Sequence, residues 1–274
     1  MKITTRLCEQ LSRIIGGEVT NFSNIPQTCN IVNYRDIMVN TLCRENTDPV
    51  NNLFWFQSTN IEDQTLNLAF LALLPKEVTS VVNKLSQLNI TVTSITQYSL
   101  FTTPNIINVY VQSVDNPLLF AEKIRKVLNT LNNVTPQLPV PPPSKSFLAL
   151  CQEFSRIIGG ETDILGDSCE VLRVRNINVK VNGIPTTIGS TKLLGFSFQS
   201  LDQNKDALCI GTVALLREEV KLFINSLERE GKFIKSSLFN RWFTHPNLVY
   251  LTFVTIENPI VFANQMSFLI KCLK

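Results

Sequence analysis

One unit written twice is the feature that most limits what this chain can fold into. LCEQLSRIIGGE (Leu7–Glu18) returns as LCQEFSRIIGGE (Leu150–Glu161), and FWFQS (Phe54–Ser58) as FSFQS (Phe196–Ser200). LALLPKEV (Leu71–Val78) returns as VALLREEV (Val213–Val220), and NPLLFA (Asn116–Ala121) as NPIVFA (Asn258–Ala263). The order is kept and the spacing nearly so, at a period far too long for a solenoid. The 274 residues are therefore read as two tandem domains, residues 1–131 and residues 147–274. Hydrophobic residues at 44% and charged residues at 17% suit two well-packed cores. Between the domains runs NNVTPQLPVPPPSKS, Asn132–Ser146, whose prolines favour polyproline II and a semi-rigid spacer.

Each half has the same pattern. Leu7, Leu11, Ile14 and Ile15 fall at helical spacing, and Gly16-Gly17 stops that helix as a C-cap. CNIVNYRDIMVN and CEVLRVRNINVKVNG alternate apolar and polar residues, so each is expected to bury one face. Asn182-Gly183 is a hairpin turn. FWFQS/FSFQS and TLNLAFLALL/ALCIGTVALL form two further strands, the second apolar enough to be central. A helix with Val78, Val81, Val82, Leu85 and Leu88 inward follows, and Glu77 sits near its positive end. The strands ITVTSI and INVYVQS flank a loop at Pro104, and a last helix opens at Asn116-Pro117. The order β-α-β-β-α in the second part of each half predicts an α+β fold: two duplicated domains, each an antiparallel sheet with helices on one face.

The net charge of +3, with no Lys/Arg run, argues against a nucleic-acid partner. No apolar run reaches the roughly 18 residues that span a bilayer, and MKITTRLCEQL lacks the apolar core of a signal peptide. Seven cysteines without a CxxC argue against a zinc site and for reduced, mostly buried thiols in a cytoplasmic protein, with Cys8 and Cys151 as packing thiols. No metal or other cofactor is expected. Ser58 and Ser200 lack nucleophile-elbow glycines. Asp63 and Asp202 read as turn residues, and Glu77, Glu218 and Glu219 as helix N-terminal charges. Arg35 and Arg175 occupy the same repeat position within apolar strands and are candidates for anion binding. The lone His245, beside Pro246, reads as an exposed loop residue.

The helix with its Gly pair, the Val/Ile-rich strands with Arg, LNLA, the EV helix and LFTTPNIINVYVQSVDNPLLFAEKI together resemble the LppY/LpqO family, a bacterial domain family of unknown function often found as a tandem pair. The resemblance covers nearly the whole of both halves and is strongest from Leu66 to Leu131. The lipoprotein character of its mycobacterial namesakes does not carry over, since no lipoprotein signal is present. The resemblance implies an HNH triplet before the Pro loop, a later His on the next strand and an acidic residue on the central strand. Here the triplet falls on Thr96, Gln97 and Tyr98, the later His on Tyr110 and the acidic position near Phe70. In the second half these positions fall around Phe239, Asn240 and Arg241, on Thr252 and near Thr212.

Every ionisable ligand of that pattern is thus replaced in both copies. Tyr and Arg suit stacking, hydrogen bonding and anion contact, but titrate too far from neutrality for proton transfer. The expectation is a non-catalytic binding protein of pseudoenzyme type that sequesters or senses a small-molecule ligand, anionic and nucleotide-like. Its contacts would be Thr96, Gln97, Tyr98, Tyr110, Asn240, Arg241 and Trp242, with Arg35 and Arg175, and no residue is assigned a catalytic role. Two alternatives stay open: a hydrolase with a different reactive set, and a protein-interaction or homo-oligomerisation module.

Overall fold

A computed structural model describes residues 1–20 and 27–273. The first half carries α1 (Thr5–Ile15), β1 (Thr28–Arg35), β2 (Asn51–Ser58), β3 (Thr65–Leu73), α2 (Val78–Gln87), β4 (Thr91–Gln97), β5 (Ile107–Asp115) and α3 (Pro117–Leu128). The second half carries α4 (Lys145–Ile158), β6 (Glu161–Leu165), β7 (Ser168–Val174), β8 (Leu193–Gln199), β9 (Ala207–Leu216), α5 (Val220–Glu230), β10 (Ile234–Phe239), β11 (Leu248–Glu257) and α6 (Pro259–Leu269). In space the first sheet runs Glu18–Val19, β1, β2, β3, β5, β4, and the second runs β6, β7, β8, β9, β11, β10. All pairings are antiparallel, and β3 and β9 lie inside their sheets as their apolar runs predict.

The fold is α+β in two similar halves, as read from the sequence. Strand alternation sorts the side chains. Phe54, Phe56, Ala69, Leu71, Val109 and Val111 pack under the helices with Leu11, Ile15, Phe120 and Ile124. The second half repeats this with Phe196, Phe198, Phe253, Phe154 and Phe262. The opposite faces meet each other: Trp55, Leu66, Leu68 and Tyr110 share one cluster with Val179, Ala214, Trp242 and Tyr250. The two sheets therefore stack through their helix-free faces, giving helix, sheet, sheet and helix layers. This corrects the expectation of one buried face for β1, where five consecutive residues from Cys29 to Asn33 are buried.

Reciprocal contacts lock the halves. Gln57 Nε2 donates to Pro185 O at 2.9 Å, and Gln57 Oε1 accepts from Thr187 N at 2.7 Å. Its repeat mate Gln199 accepts from Thr47 N at 2.9 Å and donates to Asn46 Oδ1 at 2.8 Å. The hairpin turn at Asn182-Gly183 has φ of 51° and 77°, the left-handed pair expected there, and Asn182 Oδ1 accepts from Gln112 Nε2 at 2.6 Å. The matching turn of the first half is Leu42-Cys43, also at positive φ, with Leu42 packed against Leu208, Ile210 and Val254.

The Gly pairs serve two different needs. Gly16 and Gly159 are left-handed caps at φ 75° and 72°. Gly17 and Gly160 let the chain touch the neighbouring strand: a Cβ would sit 2.4 Å from Val32 O and 2.5 Å from Leu172 O. Gly160→Ala is expected to cost about 1–3 kcal/mol, because backbone cannot yield as a side chain can. An unchanged denaturant midpoint would refute this.

Four of the seven cysteines are not reduced thiols. Cys8–Cys29 and Cys151–Cys169 are disulfides joining the first helix of each half to its first long strand. Cys43 and Cys272 are exposed and Cys209 is buried. Helix-to-strand packing brings each pair together, which linear spacing does not display. The Pro-rich segment is docked at both ends: Val134–Thr135 pairs with β1, Leu138 packs beside Val39 and Ile106, and Ser144 caps α4, whose first residue is Lys145. No helix among the described residues is long and apolar enough to cross a membrane.

Candidate functional site

Strand register settles how the repeats correspond. Thr96 lies opposite Asn108 and Phe239 opposite Tyr250, while Ser94 faces Tyr110 and Ser237 faces Thr252. Thr96, Gln97 and Tyr98 therefore match Phe239, Asn240 and Arg241. Between the stacked sheets lies a cavity of about 110 Å³. Its walls include Phe70, Tyr98 and Tyr110 from the first half and Thr212, Phe239, Arg241 and Thr252 from the second. Marked positions from both repeats, though not Thr96, Gln97 or Asn240, thus line one space.

The hollow has a cause in sequence. Equivalent positions carry Leu53 against Gly195, Phe70 against Thr212 and Tyr110 against Thr252, and all six line the cavity. At these three positions the first half carries the larger group and the second the smaller, which leaves room beside the second sheet. At another equivalent pair, Ser197 lines the cavity, whereas Trp55 packs edge-on to Trp242 with ring centroids 5.7 Å apart.

Arg241 is the dominant group. It is 9% exposed, its guanidinium carbon lies 4.6 Å from the Tyr250 ring centroid and 5.5 Å from that of Tyr110, and its Nε has no hydrogen-bond partner. Among the described residues no carboxylate pairs with it. The two rings hold the cation by their faces. Asn51 Oδ1 and Asn108 Oδ1, on residues lining the same cavity, are likewise buried without partners. Three unsatisfied polar atoms around one hollow are more than a closed core tolerates, and each costs about 1–3 kcal/mol if left so.

Two carboxyl groups share the space. Asp48 and Glu170 line this cavity and also an adjoining one of about 70 Å³, which holds Asp163, Tyr34 and Ser168. Burial, with the charges of Asp48 and Asp163, pushes Glu170 up to about 8 against the pull of Arg241. Burial raises Asp48 against the hydrogen bonds of Ser197, Gln199 and Ser168; Ser197 Oγ donates to Asp48 Oδ2 at 2.9 Å. Burial likewise raises Tyr98 and Tyr110, so both keep their protons as hydrogen-bond donors.

Of the residues named from sequence, Tyr98, Tyr110 and Arg241 meet at the cavity. Trp242 lies behind it, edge-on to Tyr110 and Tyr250. The others are engaged elsewhere. Thr96 Oγ1 bonds Gln97 O, Gln97 Nε2 bonds Ser99 O, and Asn240 Nδ2 bonds Asn247 Oδ1 and Leu248 O within its own loop. Arg35 and Arg175, expected as anion contacts, lie outside the cavity lining and already hold carboxylates: each makes a two-pronged pair, with Glu77 at 2.8 and 3.0 Å and with Glu219 at 2.6 and 2.7 Å. Each also donates to a strand carbonyl, Ala72 O or Ala214 O. Glu77 and Glu219 are thus more than dipole charges. Burial pushes Glu77 up, but the hydrogen bonds of Arg35 and the Leu74 amide, with the charge of Arg35, hold it below the usual range. Asp202 shapes its turn and also pairs with Arg44 across the halves at 2.6 Å. His245 is exposed.

Asp48 and Glu170 were missed. TDPV reads as a turn, and Glu170 occupies the polar phase of an alternating strand. Comparing residue sizes between the repeats is the signal that would have located the cavity. Among the described residues no group of His, Cys, Asp and Glu could hold a metal ion.

A family model described as Domain of Unknown Function (DUF1259) matches the chain twice, over residues 9–130 and 152–271. No curated protein matches. Among solved structures, a trimeric bacterial microcompartment shell protein, PduB, aligns over 93% of this chain and 94% of its own, at 11% identity and a TM-score of 0.22, too low to carry an argument.

Proposed function

The chain belongs to this family of unknown function, and from its site we propose that it binds a small anionic molecule in the cavity between its repeats. One observation carries the reading: Arg241, nine-tenths buried and without a carboxylate partner, faces a hollow that both repeats build. A buried cation held in no direct ion pair is costly, and an entering anion would offset that cost. Tyr98 and Tyr110 hydroxyls would donate alongside it, and the aromatic walls would cover an apolar part of the ligand. At about 110 Å³ the space suits a small carboxylate or oxyanion and is well below the several hundred Å³ typical of larger ligands, which argues against a whole nucleotide. Sequestration or sensing remains the role this favours.

Arg241→Gln is expected to weaken binding of small anions, screened by native mass spectrometry and calorimetry, by at least about tenfold. Equal affinity in the variant would sink the reading. A second reading, a hydrolase acting on a small substrate, is favoured by the Asp48 and Glu170 carboxyls in the same hollow, an acid and base pair in kind. Consumption of the bound molecule would distinguish it. The helix-free sheet faces are already covered by each other, which favours a monomer over an oligomer built on those faces. The two disulfides favour an oxidising compartment over the cytoplasm.

A further inference from the structure

The Asp48 and Glu170 carboxyls have no place in simple anion capture by Arg241, since ionised carboxylates beside the cavity would repel the ligand. Their surroundings show how the conflict is resolved. Glu170, on β7, sits opposite Ser197 on β8, and Ser197 Oγ holds Asp48. Gly195 leaves the space into which Glu170 reaches: a Cβ there would stand 3.4 Å from Glu170 Oε1. The groups whose charge bears on Glu170 are Asp48 from the turn before β2, Asp163 from β6 and Arg241 after β10. Tyr34 from β1 and Tyr98 after β4 feel the charge of Glu170 in turn, and Tyr110 from β5 lines the cavity with it. The charges of Asp48 and Asp163 both oppose ionisation of Glu170 and Arg241 alone favours it, so these buried acids resist ionising together.

We infer that the site is proton-linked: a small carboxylate enters against Arg241 while the Asp48–Glu170 pair keeps a proton and donates it as a hydrogen bond to the ligand. This rests on the anion-binding reading above and names the ligand class, a carboxylate, whose two oxygens can accept from a guanidinium and from a carboxylic acid at once. Burial raises Glu170 to about 8, so the acid form is the resident one at neutral pH. The sign follows. Below that value the proton is in place and affinity is full; above it each pH unit removes about tenfold of the affinity, because an ionised Glu170 faces the anion.

The test uses acetate, which stays anionic throughout, titrated into the full chain from about pH 6.5 to about pH 9.5 at constant ionic strength. Wild type is expected to bind with constant affinity at the lower end and to lose about tenfold per unit above about pH 8. Glu170→Gln, isosteric and neutral, is expected to bind with no such slope. Calorimetry in buffers of different ionisation enthalpy should show net proton uptake above about pH 8 in wild type and none in the variant. Parallel profiles in wild type and Glu170→Gln, with binding still lost in Arg241→Gln, would overturn the proton linkage and leave the anion reading standing. Acetate binding that survives Arg241→Gln, or no acetate binding by wild type at all, would overturn both.

Discussion

Glu219→Ala is expected to destabilise the protein by about 3–5 kcal/mol. Arg175 is 4% exposed, and Glu219 takes both ends of its guanidinium at 2.6 and 2.7 Å. Glu219 Oε2 also accepts from Leu216 N at 2.7 Å, so one carboxylate joins a strand end, a helix start and a buried cation. Removing it strands the charge. The equivalent Glu77→Ala should cost less, because Glu77 is 14% exposed against 8% for Glu219. Replacing both partners, Arg175→Met with Glu219→Leu, should restore most of the loss, since a buried ion pair adds little over a well-packed apolar pair. Denaturant unfolding of the three variants checks the ranking. Equal costs for Glu77→Ala and Glu219→Ala would mean burial does not set the penalty.

Reduction of both disulfides is the second large effect. The bridged residues are 21 apart in the first half and 18 apart in the second, and each closed loop is expected to contribute about 3 kcal/mol by restricting the unfolded chain. Together they would amount to about half the stability of an ordinary domain. Unfolding midpoints with and without a reductant give the total, and Cys151→Ser with Cys169→Ser isolates the second bridge. An unaltered midpoint after complete reduction, verified by thiol counting, would refute the expectation. The bridges fasten α1 and α4 to their sheets on the side away from the cavity, so anion binding should survive where the fold does.

The candidate site was legible in unequal parts. Tyr98, Tyr110 and Arg241 could be marked because each falls at a position that resemblance had made suspect in both copies. Arg35 and Arg175 were misplaced for a definite reason. Repeat pairing shows that a residue is needed twice but not for what, and their glutamates lie more than 40 residues further along the chain. Glu170 drew no notice because alternation tells which two faces a strand has, not what covers the second.

Period and pattern alone decide the duplication, the antiparallel sheets, the helices beneath them, the left-handed caps at Gly16 and Gly159 and the Asn182-Gly183 turn. These depend on neighbours within a few residues, and local chemistry is written locally. The stacking of sheet on sheet, the pairing of Cys8 with Cys29 and of Cys151 with Cys169, and the meeting of Arg241 with Glu170 and Asp48 depend on contacts across tens to nearly two hundred residues. No periodicity records such contacts. The cavity is walled by residues of both repeats, a relation that neither repeat possesses until both are folded together.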